Sequence, residues 1–193
     1  MKTWLRTVLA AAMLASGGVA GAAVETEVCY DYGCARRARI VFTDSQLAEL
    51  RELLASAVDA ADERIRVGQA IGRMYAIAGA QSPIHRDRGR NPVEEREHDG
   101  AMDCIDHSTN TQSFLGILGD IGALRHHRPG RREVRYAILF FDDHWTATIV
   151  EESTAEVYAV DSWFFPPGVS AVVVKLARWK SGYDPEQDAA RRP

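Results

Sequence analysis

Positive charge, cysteine and long apolar runs are all scarce in this sequence, and each scarcity excludes something. Asp and Glu outnumber Lys and Arg, for a formal net charge of −4. Nonspecific nucleic-acid binding rests on a cationic surface, so no nucleic-acid partner is expected. Beyond residue 22 no run approaches the roughly 20 apolar residues that a bilayer-spanning helix needs. There is no internal repeat and no low-complexity tract. Cysteine occurs three times, so at least one thiol has no partner within the chain.

The first 22 residues have the three-part layout of a secretory signal peptide. Lys2 and Arg6 give a positive start, residues 5–14 are an apolar run, and Ala20-Gly21-Ala22 has the A-x-A spacing that a signal peptidase reads. The apolar run is too short for a membrane anchor, and Cys29 comes too late for a lipoprotein. The expected organisation is a signal peptide over 1–22, one domain of ordinary size over 23–184 and a flexible tail over 185–193. The expected location is the periplasm or the cell exterior, and the processed chain is not expected to span a membrane.

Export leads to an oxidising compartment, where thiols pair unless something prevents it. Cys29 and Cys34 sit in CYDYGC, with Gly33 to ease a turn. They are natural partners for a local disulfide, although spacing alone does not fix connectivity. Cys104 is then the odd thiol: an intermolecular bridge, a reactive residue, or an inert core cysteine.

Thr43, Asp44 and Ser45 are good helix caps, and Leu47, Leu50, Leu54, Val58 and Ala61 follow at three- and four-residue steps. Ile65, Ile71, Met74, Tyr75 and Ile77 extend that face, so residues 43–80 read as helix with a break near Asp62. Residues 79–100, with Pro83, Gly89 and Pro92, read as a long exposed loop. A helix over residues 104–119 puts Ile105, Phe114, Leu115 and Leu118 on one face. The arginines at 86, 88 and 90, and those over residues 125–132, read as solvated loop. The period then changes, and residues 136–141, 145–150, 155–160 and 169–176 are strand-like, with Ser153-Thr154 as a turn. Helices followed by a meander of strands predict an α+β fold, N-terminal helices packed on an antiparallel sheet.

Cys104 lies in GAMDCIDHSTN, at the expected start of the second helix. Free N–H groups and the positive end of the helix dipole favour a thiolate there, and the same groups can stabilise an oxyanion. A nucleophilic thiol also needs a base within hydrogen-bond reach. His144 opens the strand HWTATIV, and Asp161 ends the next, in YAVDSW. If these strands pair through the Ser153-Thr154 turn, the start of one lies beside the end of the other. Asp161 then orients the imidazole, and Cys104, His144 and Asp161 make a triad.

This order resembles the transglutaminase-like branch of the papain-like fold, and the bacterial transglutaminase-like cysteine proteinases in particular. The resemblance is carried by Asp103-Cys104-Ile105-Asp106, His144-Trp145 and Val160-Asp161-Ser162-Trp163. It implies a papain-like core and a thiol acyl-transfer enzyme, whether peptidase, amidase or transglutaminase-type. Cys104 would attack an amide carbonyl, and His144 would pass its proton to the leaving amine. Asp103, Asp106 and Trp145 become support residues. The implied substrate is a peptide or protein amide, cell-wall peptide included, with no cofactor. One feature departs from the family: papain-like enzymes often complete the oxyanion hole with an upstream Gln, and the nearest here, Gln81, lies in another segment. Asn91 or backbone groups are the alternatives.

A metal reading competes, because Cys104 and His107 have C-x-x-H spacing and His98, His126 and His127 are available. The histidines are scattered through loops, so no metal is expected. A second class is a non-catalytic exported module that keeps the fold and binds a protein or cell-wall partner.

Overall fold

The structure, a computed structural model, describes residues 23–91, 99–136 and 143–190. The expected signal peptide and most of the strand expected over residues 136–141 lie outside them. The described chain is α+β, with antiparallel sheets.

It opens on a hairpin that the sequence reading missed. Strands β1 (Val24–Tyr30) and β2 (Arg36–Phe42) pair antiparallel. Their outer face is charged, with Arg37 paired to Glu27 and Arg39 to Glu25. Their inner face buries Val28, Ile40 and Phe42. Ion pairs that hide the apolar alternation also hid the strands.

The single helix expected over residues 43–80 is two, α1 (Asp44–Ala55) and α2 (Ala60–Gly79). Thr43 starts α1 with a capping box closed by Gln46. The break falls at residues 56–59, before Asp62, because the Asp59 side chain caps α2 by accepting from Asp62 N–H at 2.8 Å. That interruption resets the helical phase. Val58 and Ile65, expected inside, are exposed, while Val67, Ile71, Met74, Tyr75 and Ile77 are buried. Of the loop expected over residues 79–100, the described part up to residue 91 is less exposed than expected. A 3₁₀ turn, Pro83–Arg86, buries Ile84, and Asp87 and Asn91 are buried after it.

Helix α3 (Cys104–Asp120) packs on the sheet and on β1. Phe114 meets the rings of Phe42 at 5.7 Å and Tyr75 at 5.1 Å, edge-on. Ile105, expected on the apolar face, is 36% exposed instead. The strands β3 (His127–Pro129), β4 (Glu133–Arg135), β5 (His144–Glu151), β6 (Val157–Asp161) and β7 (Val172–Lys175) follow. The main order is β3-β5-β6-β7, with β4 also on β5. The turn between β5 and β6 includes Ser153 and Thr154, as expected, and closes with Ala155 N–H on the Glu151 carbonyl. Short helices α4 (Leu176–Lys180) and α5 (Pro185–Ala190) end the described chain. Residues 176 and 185–190, expected in a strand and in the tail, are thus helical.

β3 and β4 run in succession along one edge of β5, and they are out of register with each other. Pro129 pairs with Ile149, but Glu133 pairs with Thr146. Four steps on one side therefore match three on the other, which leaves one extra residue. This is a β-bulge at residues 130–132, a device that re-aims side chains next to functional sites. Gly130 permits it, since a Cβ there would collide with the Thr148 hydroxyl.

The arginines expected to be solvated are mostly engaged. Arg86 pairs with Asp99 at 2.8 Å. Arg90 forks onto Asp184 at 2.8 and 3.1 Å, which ties the C-terminal segment to the loop after the 3₁₀ turn. Arg125 donates to the carbonyl of Ala55.

Cys29 and Cys34 are bonded, closing the turn of the β1–β2 hairpin with Cα atoms 4.6 Å apart. The loop is short, so its reduction should cost about 2 kcal/mol. A urea titration of the protein with and without a dithiol reductant measures this.

Candidate active site

The hairpin turn is built to hold the start of α3. Asp31, Tyr32, Gly33 and Cys34 all have φ between 62° and 65°. Such a left-handed run is costly for side-chain-bearing residues, and the carboxylates of α3 compensate it. Gly33 N–H donates to Asp103, while Tyr32 and Cys34 N–H donate to the two oxygens of Asp106 at 2.8 and 2.6 Å. Asp103 and Asp106 also cap each other's backbone N–H groups in a capping box. Burial, together with the charge of Asp103, pushes the Asp106 carboxyl up to about 7 against the pull of these donors. Asp103 and Asp106, the two expected support residues, thus fix where Cys104 sits.

Cys104 is the free thiol, half-buried at the first position of α3. Its sulfur lies 3.5 Å from the carbonyl oxygen of Asp143, and the N–H of Trp145 points at it. The sulfur therefore rests against the backbone on both sides of His144. Arg135 is the ladder partner of His144, and Val134 that of Trp145.

His144 and Asp161 lie side by side across the β5–β6 hairpin. Nε2 of His144 is 2.8 Å from Asp161 Oδ2, which leaves Nδ1 as the ring nitrogen with no hydrogen-bond partner among the described residues. Both residues are buried. Asp161 also accepts from Trp179 Nε1–H at 2.8 Å and from Trp163 N–H at 3.1 Å. Burial alone would raise its carboxyl, but the charge and hydrogen bond of His144, with these two donors, hold it below the ordinary value. Trp179 stacks on the imidazole at 5.4 Å, and Trp163 meets it edge-on at 4.7 Å. Such packing leaves the ring little rotational freedom and excludes water from the His–Asp bond.

The thiol itself departs from expectation. Burial, with the nearby charges of Asp103 and Asp161, pushes Cys104 up to about 11, although backbone donors oppose the shift. The helix end does not by itself deliver a thiolate, because desolvation of the sulfur outweighs it. A base must take the proton as the sulfur attacks. It follows that alkylation of native Cys104 by iodoacetamide should climb about tenfold per pH unit from pH 7 to 10. Mass spectrometry of the labelled chain tests this. A plateau below pH 8 would instead signal a preformed thiolate–imidazolium pair.

A second imidazole lies one turn along α3 and is wholly interior. His107 contacts Asp87 Oδ2 through Nε2 at 3.1 Å and Ser162 Oγ through Nδ1 at 2.9 Å. Ser162 also meets Thr111 at 2.9 Å and the Tyr75 hydroxyl at 3.2 Å. Asp87 holds Asn91 and the N–H of Met102 besides. Buried polar groups satisfied this completely are costly to disturb. The cluster bolts the Cys104 helix to the residue that follows Asp161.

These bonds also bear on the other candidates. The C-x-x-H pair does not form a ligand set, because both ring nitrogens of His107 are committed. His127 is committed to Glu63 at 2.9 Å, and His98 lies outside the described residues. Cys29, Cys34 and Asp106 bring three ligand-type atoms within 4.8 Å of one another. The two sulfurs are joined, however, and the Asp106 oxygens are filled by N–H donors. Asn91, the side-chain alternative for the oxyanion hole, bonds Asp87, and Gln81, the nearest upstream Gln, bonds the backbone of Val41.

Trp179, Asp87 and Arg132 are the residues that sequence reasoning left out of the site. Trp179 and Asp87 carry no motif and are brought in by segments remote in the chain. Arg132 sits in arginine-rich text that looked solvated. Comparison with known proteins finds no matching family model, no matching curated protein and no matching solved structure, so the resemblance to the transglutaminase-like branch rests on the residues themselves.

Proposed function

We propose that the chain is a thiol acyl-transfer enzyme acting on peptide-like amides, a cysteine peptidase, amidase or transglutaminase-type acyltransferase. The single observation that carries this reading is the shielded His144–Asp161 pair at 2.8 Å, with the one free thiol seated against the backbone on either side of His144. In the mechanism, Asp161 holds Nε2–H of His144, so Nδ1 is the basic nitrogen. As the Cys104 sulfur attacks the amide carbon, its proton passes to the imidazole, which hands it on to the leaving amine. The N–H groups at the start of α3 and of Trp145 supply donors for the developing oxyanion. Water or an amine then releases the acyl group.

The disulfide and the lack of any described helix long and apolar enough to cross a membrane are compatible with an exported protein, periplasmic or secreted. A papain-like core, Trp145 as a support residue and a cell-wall peptide substrate belong to the same proposal. The test is turnover of a fluorescent amide panel by wild type and Cys104→Ala. A second reading, a non-catalytic binding module, is favoured by one observation, the elevated pKa of the thiol. Absence of turnover in both proteins would select it, and equal measurable turnover would remove Cys104 from the mechanism.

A further inference from the structure

Arg132 lies on the bulge between β3 and β4, and the extra residue there sets its direction. Its neighbour Arg131 pairs with Glu133 at 3.0 Å and is highly exposed. Arg132 is half-buried instead. Its guanidinium lies 4.9 Å over the ring of Trp145, and its Nε donates to Ser108 Oγ at 3.1 Å. Both anchors belong to the site. Trp145 is the residue whose N–H faces the Cys104 sulfur, and Ser108 is one turn along α3 from Cys104. The guanidinium is therefore held flat on an aromatic face, pinned at Nε, with its two terminal nitrogens left as a fork. A fork of this kind matches a carboxylate in two parallel hydrogen bonds.

No carboxylate among the described residues pairs with Arg132. Asp103 and Cys104 influence it only through space, and burial lowers its pKa. Arg135, the other arginine beside the site, is different in kind. Its Nη1 is occupied by the carbonyls of Trp179 at 2.9 Å and Tyr183 at 3.1 Å, so it braces the C-terminal segment. Arg132 is a half-buried cation whose stem is fixed and whose business end is not.

We propose that Arg132 is a carboxylate-binding subsite, so that the substrates carry an anionic carboxylate close to the amide that Cys104 attacks. This deepens the acyl-transfer reading and rests on it. Trp145 acts as the shelf for the guanidinium and Ser108 as its latch. An acidic residue flanking the scissile amide, or a free chain-terminal carboxylate, has the required chemistry.

The test needs no known substrate. Iodoacetate and iodoacetamide differ only in the carboxylate, and both report on the same event. A bond forms between the Cys104 sulfur and the reagent carbon, iodide leaves with the bonding electrons, and the thiol proton goes to the imidazole or to water. Alkylation rates of Cys104 are measured with each reagent at pH 9 by mass spectrometry on the folded protein, with N-acetylcysteine as the reference thiol. The expected iodoacetate-to-iodoacetamide ratio is about tenfold above the reference, the worth of one charge-assisted pair. Arg132→Gln and Arg132→Met should bring it to or near the reference, because Asp103 and Asp161 then repel the anion and only Arg135, whose Nη1 is held by backbone carbonyls, opposes them. Arg132→Lys, which keeps charge without the fork, should fall between. A wild-type ratio at or below the reference, or one unchanged in Arg132→Gln, overturns the inference and leaves the acyl-transfer reading standing. A Cys104 inert to both reagents in the folded chain, yet labelled once unfolded in guanidinium, overturns the acyl-transfer reading and the subsite with it.

Discussion

Cys104→Ala should lower amide turnover by at least about 10⁴-fold, the scale on which removal of a nucleophile acts when the rest of the site survives. The substitution removes one half-buried sulfur, and the capping box of Asp103 and Asp106 does not involve it, so the fold should persist. His144→Ala should cost a comparable factor. The double variant should be no worse than either single one, because the two act in one proton transfer. Asp161→Asn separates orientation from charge. The amide keeps the shape, but its NH₂ group would face either the two groups that now meet Oδ2 at 2.8 Å, His144 Nε2 and Trp179 Nε1–H, or, flipped, the Trp163 N–H that now meets Oδ1. Turnover should fall by two to four orders of magnitude on the order seen for such tautomer errors. Circular dichroism shows whether each variant is folded. Full activity in folded Asp161→Asn would detach the carboxylate from the chemistry.

The largest effect on stability is expected from His107→Ala, a loss of about 3–5 kcal/mol. The imidazole and Asp87 are each nearly inaccessible, at 2% and 3% exposure. Removing the ring leaves Asp87 in the interior without its imidazole partner, takes one of three partners from the Ser162 hydroxyl and opens a cavity. Domains of this size have about 5–15 kcal/mol in total, so the variant should unfold at a much lower urea concentration. Ser162→Ala removes a hydroxyl that meets His107, Thr111 and Tyr75 but leaves Asp87 its imidazole, and should cost less, about 1–3 kcal/mol. A His107→Ala midpoint within experimental error of wild type would mean the cluster holds nothing together.

The sequence foretold the His144–Asp161 pairing because a hairpin makes it local. Two β-branched runs and a short turn place the start of β5 against the end of β6 without reference to anything else. The Cys29–Cys34 pair was legible for the same reason. Phase was harder. Asp59 interrupts what looks like one continuous apolar face, and the turn it creates sends Val58 and Ile65 outward. The β1–β2 hairpin was missed because Glu25, Glu27, Arg37 and Arg39 make an ion-paired outer surface that reads as polar text. The thiol pKa was misjudged because a motif reveals a helix end but not how much of the sulfur is withdrawn from water. Asp87, Arg132 and Trp179 were beyond reach, since their roles depend on three segments converging on α3 and β5.

The disposition of the three cysteines bears on how the protein can be recovered from the unfolded state. Until the hairpin turn closes on Asp103 and Asp106, the solitary sulfur is unshielded beside two others, and three single bridges are open to the chain. Proximity favours the native one, five residues apart, but a bridge from Cys104 to either partner would lock α3 away from its seat. Oxidative refolding should therefore yield a fraction of mispaired monomer that a disulfide-shuffling buffer rescues, and the alanine variant at 104 should refold without it.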